Sequence, residues 1–304
     1  TGDRLEKASL PEASNHDPSD NLFAYNGYGG FTPDGREYVI TTSAARMTPA
    51  PWVNVIANPD FGTLVSESGS ATTWSENAHE FRLTPWSNDP VSDPNTEAFY
   101  IRDDASGRFW SPTLLPTRAA GAYTTRHGFG YSVFEHAEDE LESRLHMYVP
   151  IDSPVKLSVL RLRNRSSRTR RISVTGYVDW VLGDERTKTQ AQVVTAIDVQ
   201  TGALFARNAY NTDFADRTAF FDAYCDTVGG TIDVCGDRAD FFGPTGSLAA
   251  PAALTQAHLS GRIGAALDPC AALRVWVDLA PGQTQVVVFS LGAGFKKVLA
   301  MDTE

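Results

Sequence analysis

The residues best suited to chemistry lie between Trp74 and Tyr131. In TWSENAHEFRLTPWSNDPVSDP (73–94), Trp86 is followed by Asn88, Asp89 and Asp93, and RHGFGY (126–131) adds Arg126 and His127. An indole beside amides and carboxylates suits a sugar, whose apolar C–H face packs on the ring while its hydroxyls need fixed donors and acceptors. Pro85, Pro90 and Pro94 hold these groups on a stiffened loop. The competing reading makes the tryptophans plugs at the ends of a β-sandwich. Asp89 and Asp93 are close in sequence on a proline-rich loop, which does not by itself set two carboxylates across a glycosidic bond. No catalytic residue is assigned by motif.

The elements that must position these groups read as strands. PDG (33–35) turns the chain into the strand Glu37–Thr42, and residues 49–74 give short β-like runs broken by Asn-Pro and Gly/Ser clusters. In PVKLSVLRLRN (154–164), Val155, Leu157 and Val159 share one parity and Leu160 and Leu162 the other, which predicts a β-bulge or a strand that changes sheet. The segments 155–163 and 171–181 are expected to pair as an antiparallel hairpin through a 164–169 turn, with Ile172, Val174, Gly176, Val178 and Trp180 on one face. The arginines of that tip, Arg161, Arg163, Arg165, Arg168, Arg170 and Arg171, read as solvated charges that block edge pairing. Residues 193–208 form a hairpin through Gln200-Thr201-Gly202, 217–224 form a strand, and 236–254 form a long loop with one helical turn. Residues 273–292 form a hairpin through Ala280–Gln283. The sum is an all-β fold, a large antiparallel sandwich with very little helix.

Composition narrows the function. The chain has 304 residues and a formal charge of −11, unlike the basic contact face of a general nucleic-acid binder. It has no run of the roughly eighteen apolar residues that spans a bilayer, so this segment makes no membrane contact of its own. The three cysteines form no CxxC pair and read as buried thiols of a cytoplasmic protein, with no metal site. The spacing of Gly27, Gly29 and Gly30 matches no phosphate loop. Residues 1–20 read as a linker, 21–294 as the sandwich and 295–304 as a tail. Both ends read as cut from something longer.

Several long motifs then carry a resemblance: NGYGGF…DGREYVI, PAPWVNVIANPDFG, WSENAHEFRLTPWSNDPVSDP, RHGFGYSVFEH, VPIDSPVKLSVLRLRNRSSRTRRISVTGYVDWVLG and LSGRIGAALDPCAAL. Over about 21–294 the chain resembles the start of the phosphorylase-like region of cyclic β-1,2-glucan synthases, which is similar to the cellobiose and chitobiose phosphorylases of glycoside hydrolase family 94. The resemblance implies a β-supersandwich similar in shape to galactose mutarotase. In the family it is followed by a helical linker and an α/α barrel that carries the catalytic acid and most phosphate ligands. It also implies inorganic phosphate as a co-substrate of the parent, no cofactor of its own, a homodimer, and a parent at the cytoplasmic side of the inner membrane. The loops 84–94 and 126–131 become candidates for glucan contact, with Trp86, Asn88, Asp89, Asp93, Arg126 and His127 as binding residues. The alternatives are a stand-alone mutarotase-type enzyme using His127, His136 and Glu135, and a structural scaffold.

Overall fold

The computed structural model describes residues 21–226 and 232–295. The expected linker 1–20 and the tail beyond Phe295 lie outside the described residues. The fold is all-β, as expected. A ten-stranded sheet runs, edge to edge, through β1 (Gly29–Phe31), β2 (Glu37–Thr42), β8 (Tyr123–Gly128), β9 (Tyr131–Glu138), β10 (Leu141–Tyr148), β11 (Val155–Asn164), β18 (Thr284–Phe295), β15 (Arg217–Cys225), β14 (Leu204–Asn208) and β13 (Val193–Ile197). A five-stranded sheet contains β16 (Asp233–Asp237), β17 (Pro269–Leu279), β12 (Arg170–Asp179), β6 (Glu97–Asp103) and β7 (Phe109–Trp110). The third sheet is the meander β3 (Val53–Ala57), β4 (Phe61–Ser66) and β5 (Ala71–Ser75). Among the described residues α-helix is confined to α1 (Arg186–Thr189) and α2 (Arg238–Phe242), and no helix is long and apolar enough to cross a membrane. The β1–β2 and β13–β14 hairpins form as predicted.

The two longest predicted hairpins do not form. β11 pairs with β10 and β18, whereas β12 pairs with β6 and β17. The chain therefore leaves the large sheet after Asn164 and re-enters in the smaller one. It makes the reverse crossing between β17 and β18. These are two β-arches lying side by side, so that strands pair between arches and not within them. Alternation cannot separate the cases, because each arm has at least one buried face in either. The choice rests on the turn. Buried Asn164 donates through Nδ2 to Arg168 O (2.7 Å) and Leu279 O (2.9 Å), and its Oδ1 accepts from Ser166 N (3.0 Å). One side chain thus ties both arches together.

The predicted bulge in β11 is also absent, since its register to both neighbours is continuous. Its even positions, Lys156, Ser158, Leu160, Leu162 and Asn164, are all buried. The apparent parity switch arises because a lysine and a serine occupy core positions. Lys156 Nζ contacts Glu97 Oε2 and donates to Thr73 Oγ1 (3.0 Å), while Thr73 and Thr84 hydroxyls donate to Glu97 Oε1 at 2.6 and 2.9 Å. Burial pushes the Lys156 ammonium below its usual range, and Glu97 opposes that shift. The tip arginines need correction too. Arg170 is 2% exposed and grips Asp103 Oδ2 through Nε (2.9 Å) and Nη2 (2.6 Å), so it is an internal anchor, not a solvated charge.

The main core lies between the ten-stranded sheet and the two smaller ones. Ile172, Val174, Val178 and Trp180 point into it as predicted, with Leu273, Val275, Val277 and Leu279 beside them. Gly176 is required there, because a Cβ would stand 2.7 Å from the Phe289 ring. A second core, with Tyr100, Tyr177, Phe241 and Leu254, lies under the 238–259 segment on the outer face of the five-stranded sheet.

Candidate functional site

The loop after β5 is tied down by its own polar residues. Asp89 accepts from Val91 N (2.9 Å), Ser92 N (3.2 Å) and the Ser92 hydroxyl, and these bonds hold its carboxyl below the usual range, the Ser92 hydroxyl first. Asp93, at φ 41°, accepts from Ser66 Oγ (2.7 Å) and from Ser68 Oγ. Thr72 and Ser70 hydroxyls donate to Pro85 O (2.9 Å) and Pro94 O (3.0 Å). On this anchored loop Trp86 is 49% exposed, with the Arg82 guanidinium 5.6 Å from its ring centroid. Asn88 is exposed. Trp86 is therefore no core plug, whereas Trp110, 2% exposed, is one.

The C-terminal half of the loop, Ser92–Asn95, forms one wall of a cavity of about 690 Å³. Leu115 and the cis-linked Pro116 form a second wall, and α2 with the Gly243–Ala249 segment forms a third. Tyr177 and Asp179 line it from the outer face of β12. Asp179 Oδ1 accepts from Arg186 Nε (3.2 Å) and Tyr177 Oη (3.4 Å) and stands 3.7 Å from Arg238 Nε. Asp268 completes the network, contacting Arg186 Nη2 and lying 3.5 Å from Arg238 Nη1. Burial raises the Asp179 carboxyl above its ordinary range, and the two arginines oppose that shift. Arg238 also lies over the Phe242 ring at 4.7 Å. One partly exposed aromatic ring, Phe242, with paired carboxylates and guanidiniums can hold a polyol.

Arg126 and His127 belong elsewhere. The 126–131 segment, expected as a loop, is the end of β8, the turn Phe129–Gly130 and the start of β9. Neighbouring residues on a strand face opposite ways. Arg126 points outward to Glu135 Oε2 (3.1 Å) and Glu37 Oε2 (3.3 Å). His127 points inward, with Nδ1 2.9 Å from Ser132 Oγ and Nε2 3.1 Å from Trp52 O. Neither lines the cavity, and the two cannot meet one ligand. The same alternation separates Glu135 from His136 on β9. His136 is stacked on Tyr123 at 3.8 Å with its Nδ1 on Ala122 O, so His127, His136 and Glu135 do not converge as a mutarotase-type acid–base set.

Burial lowers the His127 pKa from 6.5 to about 4. The unfolded chain then binds more protons than the folded one between those values, so stability rises with pH across that window and is lost on acidification. The expected result is that His127→Gln removes about 2–3 kcal/mol of the wild-type stability change between pH 7 and pH 4 in denaturant titrations. An unchanged slope would show that the ring titrates normally.

Sequence reasoning found the loop but missed the cavity floor. Two signals were present: an aspartate in the otherwise apolar YVDWVLG, and Asp268 inside ALDPCAAL.

The family model described as "Glycosyl hydrolase 94, supersandwich domain" matches residues 36–302. The chain is 41% identical over 274 residues to the cyclic beta-(1,2)-glucan synthase of Rhizobium meliloti, an alignment that covers 90% of this chain and 10% of that protein. It is 28% identical over 278 residues to the N,N'-diacetylchitobiose phosphorylase of Vibrio furnissii, covering 88% of this chain and 33% of that one. The chain thus spans a small part of the relatives it matches. Among solved structures it is similar to a galactose mutarotase related enzyme from Lactobacillus acidophilus, with a TM-score of 0.42 and 10% identity over 80% of this chain and 97% of that one.

Proposed function

This chain belongs to the glycosyl hydrolase 94 supersandwich domain family, and from that premise we propose that it is the carbohydrate-contacting module of a larger glucan-synthesising or phosphorolytic enzyme. In this reading the sandwich shapes the active site and supports a homodimer on the cytoplasmic side of the membrane. The catalytic acid and the phosphate that serves as the parent's co-substrate are held by other regions. The ligand is a β-glucan or glucooligosaccharide. The observation that carries the reading is Trp86. It is a half-exposed indole on a loop fixed by the seven side-chain hydrogen bonds above, and the Ser92–Asn95 end of that loop lines a cavity of about 690 Å³. Asn88 supplies hydroxyl contacts at its exposed side, and Asp89 and Asp93 act mainly by holding the loop in shape. Arg126 and His127 lie on separate faces of β8 and have no role at this contact.

The test is Trp86→Ala in a calorimetric titration with linear β-1,2-glucooligosaccharides. Loss of the stacking face should weaken binding by about 1 kcal/mol or more, roughly fivefold. The melting temperature should change little, because the ring is already half in water. Unchanged affinity would remove the loop from the site.

A further inference from the structure

The cavity beside the loop has chemistry of its own. Its volume of about 690 Å³ lies in the range of small-ligand sites. Phe242 gives it aromatic surface, with the fully buried Tyr177 ring packed behind, and Pro94, Pro116 and Leu248 add apolar walls. Its polar groups converge from four separate segments: Asp93 and Asn95 from the loop, Asp179 from β12, Arg238 from α2 and Asp268 from the turn before β17. All three contacts to Asp179 fall on Oδ1, so its second oxygen carries none of them. Among the described residues Arg238 Nε has no hydrogen-bond partner, since Asp179 Oδ1 is 3.7 Å away.

The charges decide the ligand class. Asp93, Asp179 and Asp268 outnumber Arg186 and Arg238, and both guanidiniums are already paired with these carboxylates. An anion would enter a site of net negative charge with no free cation among the described residues to meet it. Phosphate, sugar phosphates and uronates are therefore disfavoured. A neutral polyol is favoured, because carboxylate and guanidinium pairs hold adjacent hydroxyls while the Phe242 ring covers the C–H face.

We infer that this cavity is a binding site for one or two neutral hexosyl units at the end of a glucan chain. The inference rests on the carbohydrate reading above, but it assigns the contact to a different set of residues from Trp86.

The test is calorimetric titration of the chain with the β-1,2-linked glucose disaccharide. Wild type is compared with Arg238→Gln, Phe242→Ala and Trp86→Ala. Ser247→Trp, at the exposed rim, serves as a steric block that leaves the core untouched. Binding should weaken at least tenfold in Arg238→Gln, Phe242→Ala and Ser247→Trp, with inorganic phosphate and glucose 1-phosphate failing to compete. Affinity unchanged in all three, but reduced in Trp86→Ala, overturns the cavity and leaves the loop reading standing. Competition by inorganic phosphate overturns the charge argument and the ligand class with it. Absence of binding by wild type to both the disaccharide and longer glucooligosaccharides overturns the cavity and the carbohydrate reading together.

Discussion

Replacing Lys156 by Met is expected to cost about 3–5 kcal/mol and to lower the melting temperature by roughly 10 °C. The side chain is 1% exposed and, among the described residues, its ammonium is the one cation that contacts the Glu97 carboxylate. Without it, Glu97 remains a 3% exposed carboxylate held only by Thr73 and Thr84 hydroxyls. Two hydroxyl donors do not replace a cation in a low-dielectric interior. One control isolates the cause. The double substitution Lys156→Met with Glu97→Leu should recover much of the loss, since a well-packed apolar pair can match a buried ion pair. Denaturant midpoints measured for the three proteins check it. A loss below about 1 kcal/mol for the single variant would mean that water reaches Glu97.

Asn164→Ala should cost about 2–4 kcal/mol. The amide is fully buried and satisfies carbonyls from both arches, Arg168 O on one and Leu279 O on the other. Removing it leaves those acceptors unmet and deprives the 165–168 turn of the Oδ1 bonds to Ser166 N and Oγ. Asn164→Asp should be nearly as costly, because a carboxylate cannot donate to either carbonyl. Thermal melts of the two variants give the comparison. If Asp were tolerated, the contacts on Ser166 alone would hold the turn and the two arches would fold independently.

The amino-acid sequence by itself determined the class of this fold and most of its strand positions. Strands such as β12 and β17 carry long alternations of β-branched and other apolar residues bounded by turn residues, and that information is local. It also determined the family, through motifs that span nearly the whole chain, and it marked Trp86 and its loop. Tertiary structure decided what is set between distant residues. Whether β11 turns back on β12 or arches away from it depends on the carbonyls that Asn164 can reach across 115 positions of chain. Lys156 can occupy a core position only because Glu97, 59 positions away, supplies its counter-charge. Arg126 and His127 are adjacent in sequence, yet pleating sends them to opposite faces of one sheet, so motif proximity misplaced them. Asp179, Arg186, Arg238 and Asp268 share no motif and meet only because β12, α1, α2 and the turn before β17 converge outside the five-stranded sheet. A charge network of that kind is invisible until packing brings its members within the few ångströms over which they interact.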